Sequence, residues 1–220
     1  MGDGRGPRLA GCPLSAPEGP SLEALLRRRR MTRTFAPGPL TPDRHDELVA
    51  MLDLARRAPS AGYSQGVHFL LLTGADLVAF WQGSGAGDWF SRTQPGVLGA
   101  QALVIPLADE QAYTSRYSES DKAGHGLEDA TNWPVPFWLT DAAMATQNLL
   151  LLAEEAGWGA LYFGLFAESA RAVRALGVPP RVVPLGAVAL GQRSADDKPS
   201  GSATTRSRRP ADEVVHLQRW

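Results

Sequence analysis

The stretch from about residue 139 to 156, LTDAAMATQNLLLLAEEA, most constrains what this chain can become. It reads as a helix that is apolar on nearly every side, and such a helix has to be covered all round. Its apolar part, 142–153, is interrupted by Thr146, Gln147 and Asn148 and is too short to span a bilayer. The cover must therefore be protein, which makes this the central buried helix of a domain. A chain of 220 residues, 44% of them hydrophobic and 20% charged, is long enough to build one good core around it.

The rest of the chain supplies that cover in alternating pieces. Ser21 is placed to cap a short helix over Leu22 to Leu26 that delivers a run of arginines at its C-terminal end, where the helix dipole favours cations. Thr41-Pro42 opens a second helix with Leu48, Met51, Leu52 and Ala55 on one stripe, and it stops at Ala58-Pro59. Val67 to Leu72 and Ala102 to Leu107 read as buried strands. Beyond the central helix, Gly157-Trp158-Gly159 leads into a short strand, Ala160 to Phe163, followed by Gly164. A helix over Glu168 to Leu176 closes at Gly177, and Val182 to Leu190 reads as one further strand. Helices alternating with separated strands predict an α+β fold, a sheet flanked by helices. Residues 1–20, with five Gly, four Pro and no apolar signal region, read as a disordered leader to a single domain over 21–220. A polar and aromatic excursion occupies about 109–138, and 211–220 reads as an extended C-terminal arm.

Composition removes several functions. A net charge of −1 does not suit a general nucleic-acid binder. The single cysteine, Cys12, leaves no internal disulfide framework and fits a reducing, cytoplasmic setting. His45, His68, His125 and His216 lack metal-ligand spacing, so no metal is expected. GSGAG at 83–87 is not the dinucleotide fingerprint, and no P-loop or nucleophile elbow occurs.

What composition leaves unexplained is local: RRRRMTR at 27–33 packs five arginines into seven positions. A second cluster, RSRR at 206–209, closes a polar loop. A basic run can be a solvated helix end, and two such clusters meeting on one fold can be an anion site.

Four segments in order carry a resemblance to the FMN-dependent nitroreductase family. They are Arg29-Arg30-Met31-Thr32-Arg33-Thr34-Phe35, the loop APSAGYSQGV from Ala58 to Val67, the Gly157-Trp158-Gly159 segment running to Gly164, and Arg206-Ser207-Arg208-Arg209-Pro210. The resemblance runs from about residue 24 to the C-terminus. It implies a nitroreductase-like fold, with a central, mostly antiparallel sheet flanked by helices, in an intertwined homodimer. It also implies FMN as cofactor and NAD(P)H as reductant, with a nitroaromatic, a quinone or another small electrophilic molecule as acceptor in a ping-pong cycle. No nucleic acid or membrane is an implied partner.

Residue by residue, the resemblance places Arg29 and Arg30 with Met31 at the cofactor, Arg29 on the phosphate with help from Arg206 and Arg208. A phosphate monoester carries roughly −1.5 to −2 charges and selects bidentate guanidinium donors. Arg33 falls beside the N1/O2 edge of the flavin, where a fixed cation favours the reduced ring. Pro59, Ser60, Ala61 and Tyr63 would reach the flavin of the partner subunit. Gly164 and Leu165 would present backbone N–H groups to flavin N5 and O4, and no side chain need act as acid or base, since the flavin and solvent can handle the protons. The excursion sits where the family varies a helical lid, and its Tyr113, Tyr117, Trp133 and Trp138 could stack a planar acceptor or form a packed satellite cluster.

Three departures from the family pattern stand out. Met31 replaces a serine, Tyr63 an asparagine, and Gly66-Val67 a Pro-Trp pair. They keep two alternatives open, a flavin-cleaving or oxidative member of the same superfamily and a flavin-sequestering protein without turnover.

Overall fold

The structure, a computed structural model, describes residues 19–199 and 201–220. The leader expected over 1–20, with Cys12, lies outside the described residues as far as residue 18. In chain order the elements are α1 (Leu22–Arg28), α2 (Pro42–Ala55), β1 (Val67–Thr73), α3 (Gly74–Gly83), α4 (Gly85–Thr93), β2 (Ala102–Asp109), α5 (Glu110–Tyr117), α6 (Phe137–Glu155), β3 (Gly159–Phe163), α7 (Ala167–Ala175), β4 (Val182–Pro184), β5 (Ala187–Gly191) and α8 (Gly201–Thr205). The sheet runs β1-β2-β5-β3, with β4 on the same edge of β2 as β5, and every pairing is antiparallel.

Side chains alternate across a strand, and both sides of β2 are covered. Ala102 and Val104 face α2 and α6 together with Leu48, Met51, Leu149 and Trp158. Leu103, Ile105 and Leu107 face α3, α4 and α7 together with Phe80, Phe90 and Val173. This is why β2 reads as an unbroken apolar run. Each such large side chain, once fully buried, contributes roughly 1.5–3 kcal/mol.

α6 lies between the sheet and α2, and of its polar interruptions Gln147 is exposed while the other two are hydrogen-bonded. Thr146 Oγ1 donates to the Ala142 carbonyl at 2.7 Å, and Asn148 Nδ2 to the Ala55 carbonyl at 3.2 Å. The caps match the sequence: Ser21 Oγ accepts from Ala24 N at 3.2 Å, and Thr41 Oγ1 from Arg44 N at 3.4 Å.

Two features differ from expectation. The single strand expected over 182–190 is two, β4 and β5, because Pro184 brings no N–H and Gly186 turns with φ of 150°. A Cβ at Gly186 would stand 2.6 Å from the Phe163 carbonyl oxygen, so only glycine lets the chain pass there. The passage between β1 and β2 holds the helical pair α3 and α4, which glycines at 74, 83, 85 and 87 disguise in the sequence. Gly87 has a packing reason: a Cβ would fall 1.8 Å from the Trp81 carbonyl oxygen. The GSGAG motif is thus a tight corner between two helices.

Candidate functional site

The arginine run is sorted by its partners. Arg27 Nη2 pairs with Glu23 at 2.8 Å on the surface of α1. Arg28 reaches the end of α6, its Nε 3.2 Å from Glu154 Oε1. Arg30 pairs with the buried carboxylate of Asp197 and also donates to the Asp197 carbonyl at 3.1 Å. Among the described residues Arg29 forms no such pair. Its Nη1 is buried and makes no hydrogen bond to any described residue. A buried guanidinium N–H left unpaired costs free energy of the order of 1–3 kcal/mol or more, so it marks a place prepared for an acceptor.

The backbone beneath these side chains is pinned. Asp197 Oδ1 accepts from Arg33 N at 2.8 Å and Thr34 N at 2.9 Å. Thr32, fully buried, donates its amide to the Ala160 carbonyl at 2.8 Å, and its hydroxyl accepts from Arg193 Nε at 3.1 Å. Met31 is committed through its side chain, since its sulfur accepts from Tyr162 N at 3.3 Å. The thioether also packs against both halves of the core. These bonds lay the Arg29 to Arg33 segment alongside β3, the strand that leads to Gly164. A Cβ at Gly164 would meet nothing nearer than the Phe166 ring at 3.8 Å, so no crowding within the chain requires glycine there.

Arg30, expected among the cofactor contacts, pairs with Asp197. Arg206 and Arg208 are exposed beyond α8, and no described hydrogen bond or ion pair ties them to the first cluster. Asp197, Glu154 and Arg193 were not singled out by sequence reasoning. Their partners lie 126 or more residues away for the Arg28 and Arg30 contacts, and the only signal was an Asp pair in a polar loop.

The loop after α2 is held from behind. The buried Asp141 of α6 accepts from Ala61 N at 2.9 Å and from Tyr113 OH at 2.8 Å. Ser60 Oγ accepts from Gln65 N at 2.8 Å, and Arg116 Nε donates to the Gly62 carbonyl at 2.9 Å. Tyr63 and Gln65 sit in the left-handed region, with φ of 58° and 52°, and Tyr63 is 76% exposed. Two non-glycine residues so placed cost about 1–3 kcal/mol each and persist only where surroundings hold them. Pro59 precedes this turn, and a cavity of about 630 Å³ lined by Arg56, Arg57, Ser60, Tyr63 and Gln65 opens beside it.

The excursion at 109–138 supplies that support. Tyr113, Trp133 and Trp138 are buried in a cluster with Ala108 and Ala142, so within the subunit they offer no face to a ligand, and Tyr117 packs edge-on to Trp133 at 4.9 Å. Of the two readings of these aromatics, the packed cluster is the one the structure contains. Burial, and then the neighbouring Asp141 carboxylate, push the Tyr113 phenol well above its ordinary pKa. Bidentate contact with Arg116 holds the Asp121 carboxyl down at about 2.

An antiparallel five-stranded sheet with α6 packed on one side, and the Arg29 to Arg33 segment laid beside the strand that leads to Gly164, define an α+β fold of the nitroreductase type. Solved structures share it: CinD from Lactococcus lactis, a nitroreductase in complex with chloramphenicol, superposes with a TM-score of 0.69 at 18% identity, covering 90% of this chain and 99% of that one. A Desulfovibrio desulfuricans protein solved in complex with FMN gives a TM-score of 0.61 at 20% identity, covering 89% and 95%. Residues 26–192 match the nitroreductase family as a whole, and the chain belongs to that family. A protein of Archaeoglobus fulgidus, provisionally named NADH dehydrogenase/NAD(P)H nitroreductase, is 24% identical over 195 residues, 87% of this chain and 94% of its own length. Among the described residues no helix is long and apolar enough to cross a membrane, and no group of three or more His, Cys, Asp or Glu could hold a metal.

Proposed function

We propose that this protein is an FMN-dependent oxidoreductase that works as a homodimer, taking electrons from NADH or NADPH and passing them to a small electrophilic acceptor. The observation that carries the reading is the sorting of the arginines. Arg27, Arg28 and Arg30 are neutralised by carboxylates, while Arg29 keeps a buried donor unpaired. Arg33 forms no described side-chain ion pair, and its backbone is fixed by Asp197. Such donors fit a phosphate and the electron-rich edge of a flavin.

Bound FMN would supply the redox chemistry, accepting a hydride from the reduced nicotinamide and handing it on to the acceptor. The chain's own residues position and bind. Arg29, with Arg206 and Arg208, holds the phosphate, and Arg33 stabilises negative charge at the N1/O2 edge. Gly164 and Leu165 offer backbone N–H groups and close approach to N5 and O4. Pro59, Ser60, Ala61 and Tyr63 cover the flavin of the partner subunit, and the strained, buttressed turn supports a role for Tyr63 as a displayed ring.

The test is the visible spectrum of the purified protein, supplied with FMN, before and after anaerobic addition of NADH or NADPH. Bound flavin bands that bleach are expected. Bound flavin that neither nucleotide bleaches would overturn the reductase reading in favour of sequestration or oxidative chemistry, and a failure to retain FMN would remove the cofactor assignment.

A further inference from the structure

The cavity of about 630 Å³ at the turn after α2 brings together two guanidinium groups and an exposed ring, since its walls include Arg56, Arg57, Ser60, Tyr63 and Gln65. Its volume suits an adenosine with a phosphate. Arg57 is exposed, and its side chain forms no hydrogen bond or ion pair with any described residue. Asp53 holds Arg56 through Nε and Nη2, at 2.7 and 2.5 Å, which leaves Nη1 without a described partner. No lining residue is acidic. The acids packed against the turn are engaged: Asp53 by Arg56, Asp141 by Ala61 N and Tyr113, and Asp121 and Glu119 by Arg116 at 2.6 and 3.1 Å.

An exposed arginine is cheap to leave unpaired, so the turn itself carries more weight. A chain that only had to reverse direction here would be served without strain by glycine wherever φ is positive. This one places Tyr63 and Gln65 in the left-handed region, and both line the cavity with Arg57. Strain of this kind, held from behind by Asp141 and Arg116, displays side chains for a ligand.

We infer that this cavity takes the 2′-phosphate and adenine of NADPH, with Arg57 and Arg56 on the phosphate and the purine against Tyr63, and that the protein prefers NADPH to NADH. A phosphate monoester selects guanidinium donors, and a purine stacks on an aromatic ring. The other phosphate monoester in the proposed reaction, that of FMN, is already suited by the buried unpaired donor of Arg29. The assignment to the reductant rests on the proposed function: with the loop over the flavin of the partner subunit, the cavity opens beside the place the nicotinamide has to reach. Tyr63 has two faces, one for that flavin and one for a purine.

The experiment is calorimetric titration of the full chain, supplied with FMN, with adenosine 2′,5′-bisphosphate and with adenosine 5′-monophosphate, for the wild type, Arg57→Ala and Arg27→Ala. The wild type is expected to bind the bisphosphate at least roughly fivefold more tightly, the size of one exposed charge-assisted contact. Arg57→Ala should remove that difference, and Arg27→Ala, on the surface of α1, should keep it. Equal binding of the two ligands by the wild type, or a difference that Arg57→Ala leaves intact, overturns the site whatever the flavin does. Kinetics test the reductant separately: Arg57→Ala should raise the KM for NADPH at least roughly fivefold while leaving kcat and the KM for NADH unchanged. An unchanged KM for NADPH, in a protein whose flavin bleaches, overturns the preference and leaves the reductase reading standing. Flavin that neither nucleotide bleaches overturns the reductase reading and the NADPH assignment together, and the bisphosphate titration still decides the cavity. Weaker FMN binding in Arg57→Ala, with the bisphosphate unaffected, would give this guanidinium to the cofactor's phosphate and overturn the assignment.

Discussion

Asp197 Oδ1 accepts the backbone N–H of Arg33 at 2.8 Å, and the side chain of Asp197 is wholly enclosed. The same carboxylate holds Thr34 N and Arg30, so one acid fixes the course of the segment that presents Arg29 and Arg33. Asp197→Asn should cost about 2–4 kcal/mol, since it leaves Arg30 uncompensated, and lower Tm by roughly 5–15 °C. Thermal denaturation of the two proteins checks this.

Arg29→Ala should weaken FMN binding at least about tenfold, the loss of one or two charge-assisted hydrogen bonds, while leaving the FMN-free protein no less stable, since it removes an unpaired buried donor. Arg29→Lys should recover only part of the affinity, because an ammonium cannot reproduce the planar fork. Arg27→Ala, at an exposed pair, should leave both quantities unchanged. Fluorescence titration with FMN measures all three.

The Tyr113 phenol has its pKa raised in the folded protein above the ordinary value of 10.0. The fold therefore favours the protonated phenol, and the associated stability is complete below about pH 10 and declines as pH rises beyond it. The wild type should lose Tm between pH 9 and 11 more steeply than Tyr113→Phe. At neutral pH the same substitution should cost about 1–3 kcal/mol by removing a donor from the buried Asp141.

Asp121 titrates in the opposite sense. Its pKa is held at about 2 by Arg116, below the ordinary 3.8, so the contribution of this pair is present above about pH 4 and fades as pH falls towards 2. Arg116 also donates to the Gly62 carbonyl. Amide exchange at Tyr63 and Gln65 should therefore quicken in Arg116→Met at neutral pH, and the difference from wild type should shrink in acid.

Gly87→Ala should be severely destabilising, by about 3 kcal/mol or more, since its Cβ would meet the Trp81 carbonyl at 1.8 Å. Gly83→Ala, four residues earlier, meets nothing within 4 Å and should be neutral or stabilising by up to about 1 kcal/mol. Urea denaturation of the pair separates packing from helix propensity.

Much of the framework was legible in the chain because burial imposes period and length. β1, β2 and α6 lie within two residues of their expected bounds, since each is a continuous apolar run closed off by turn or loop residues. α3 and α4 were hidden because the glycines their corner needs are poor helix formers. The break between β4 and β5 depends on the approach of Gly186 to Phe163, which no local pattern announces. The aromatic residues of 109–138 show the same limit: their composition is that of a ligand platform or a core, and only their packing distinguishes the two.

By itself, then, the sequence determined the α+β architecture, the buried α6 and the four segments that carry the family likeness, because hydrophobic period, caps and motif order are properties of neighbouring residues. Tertiary structure decided which arginines are already neutralised, which aromatics are enclosed, and where a cavity opens. Those outcomes depend on Asp197, Glu154 and Asp141 arriving from distant parts of the chain, and a charge or a ring is spent or left available only by what the fold brings against it.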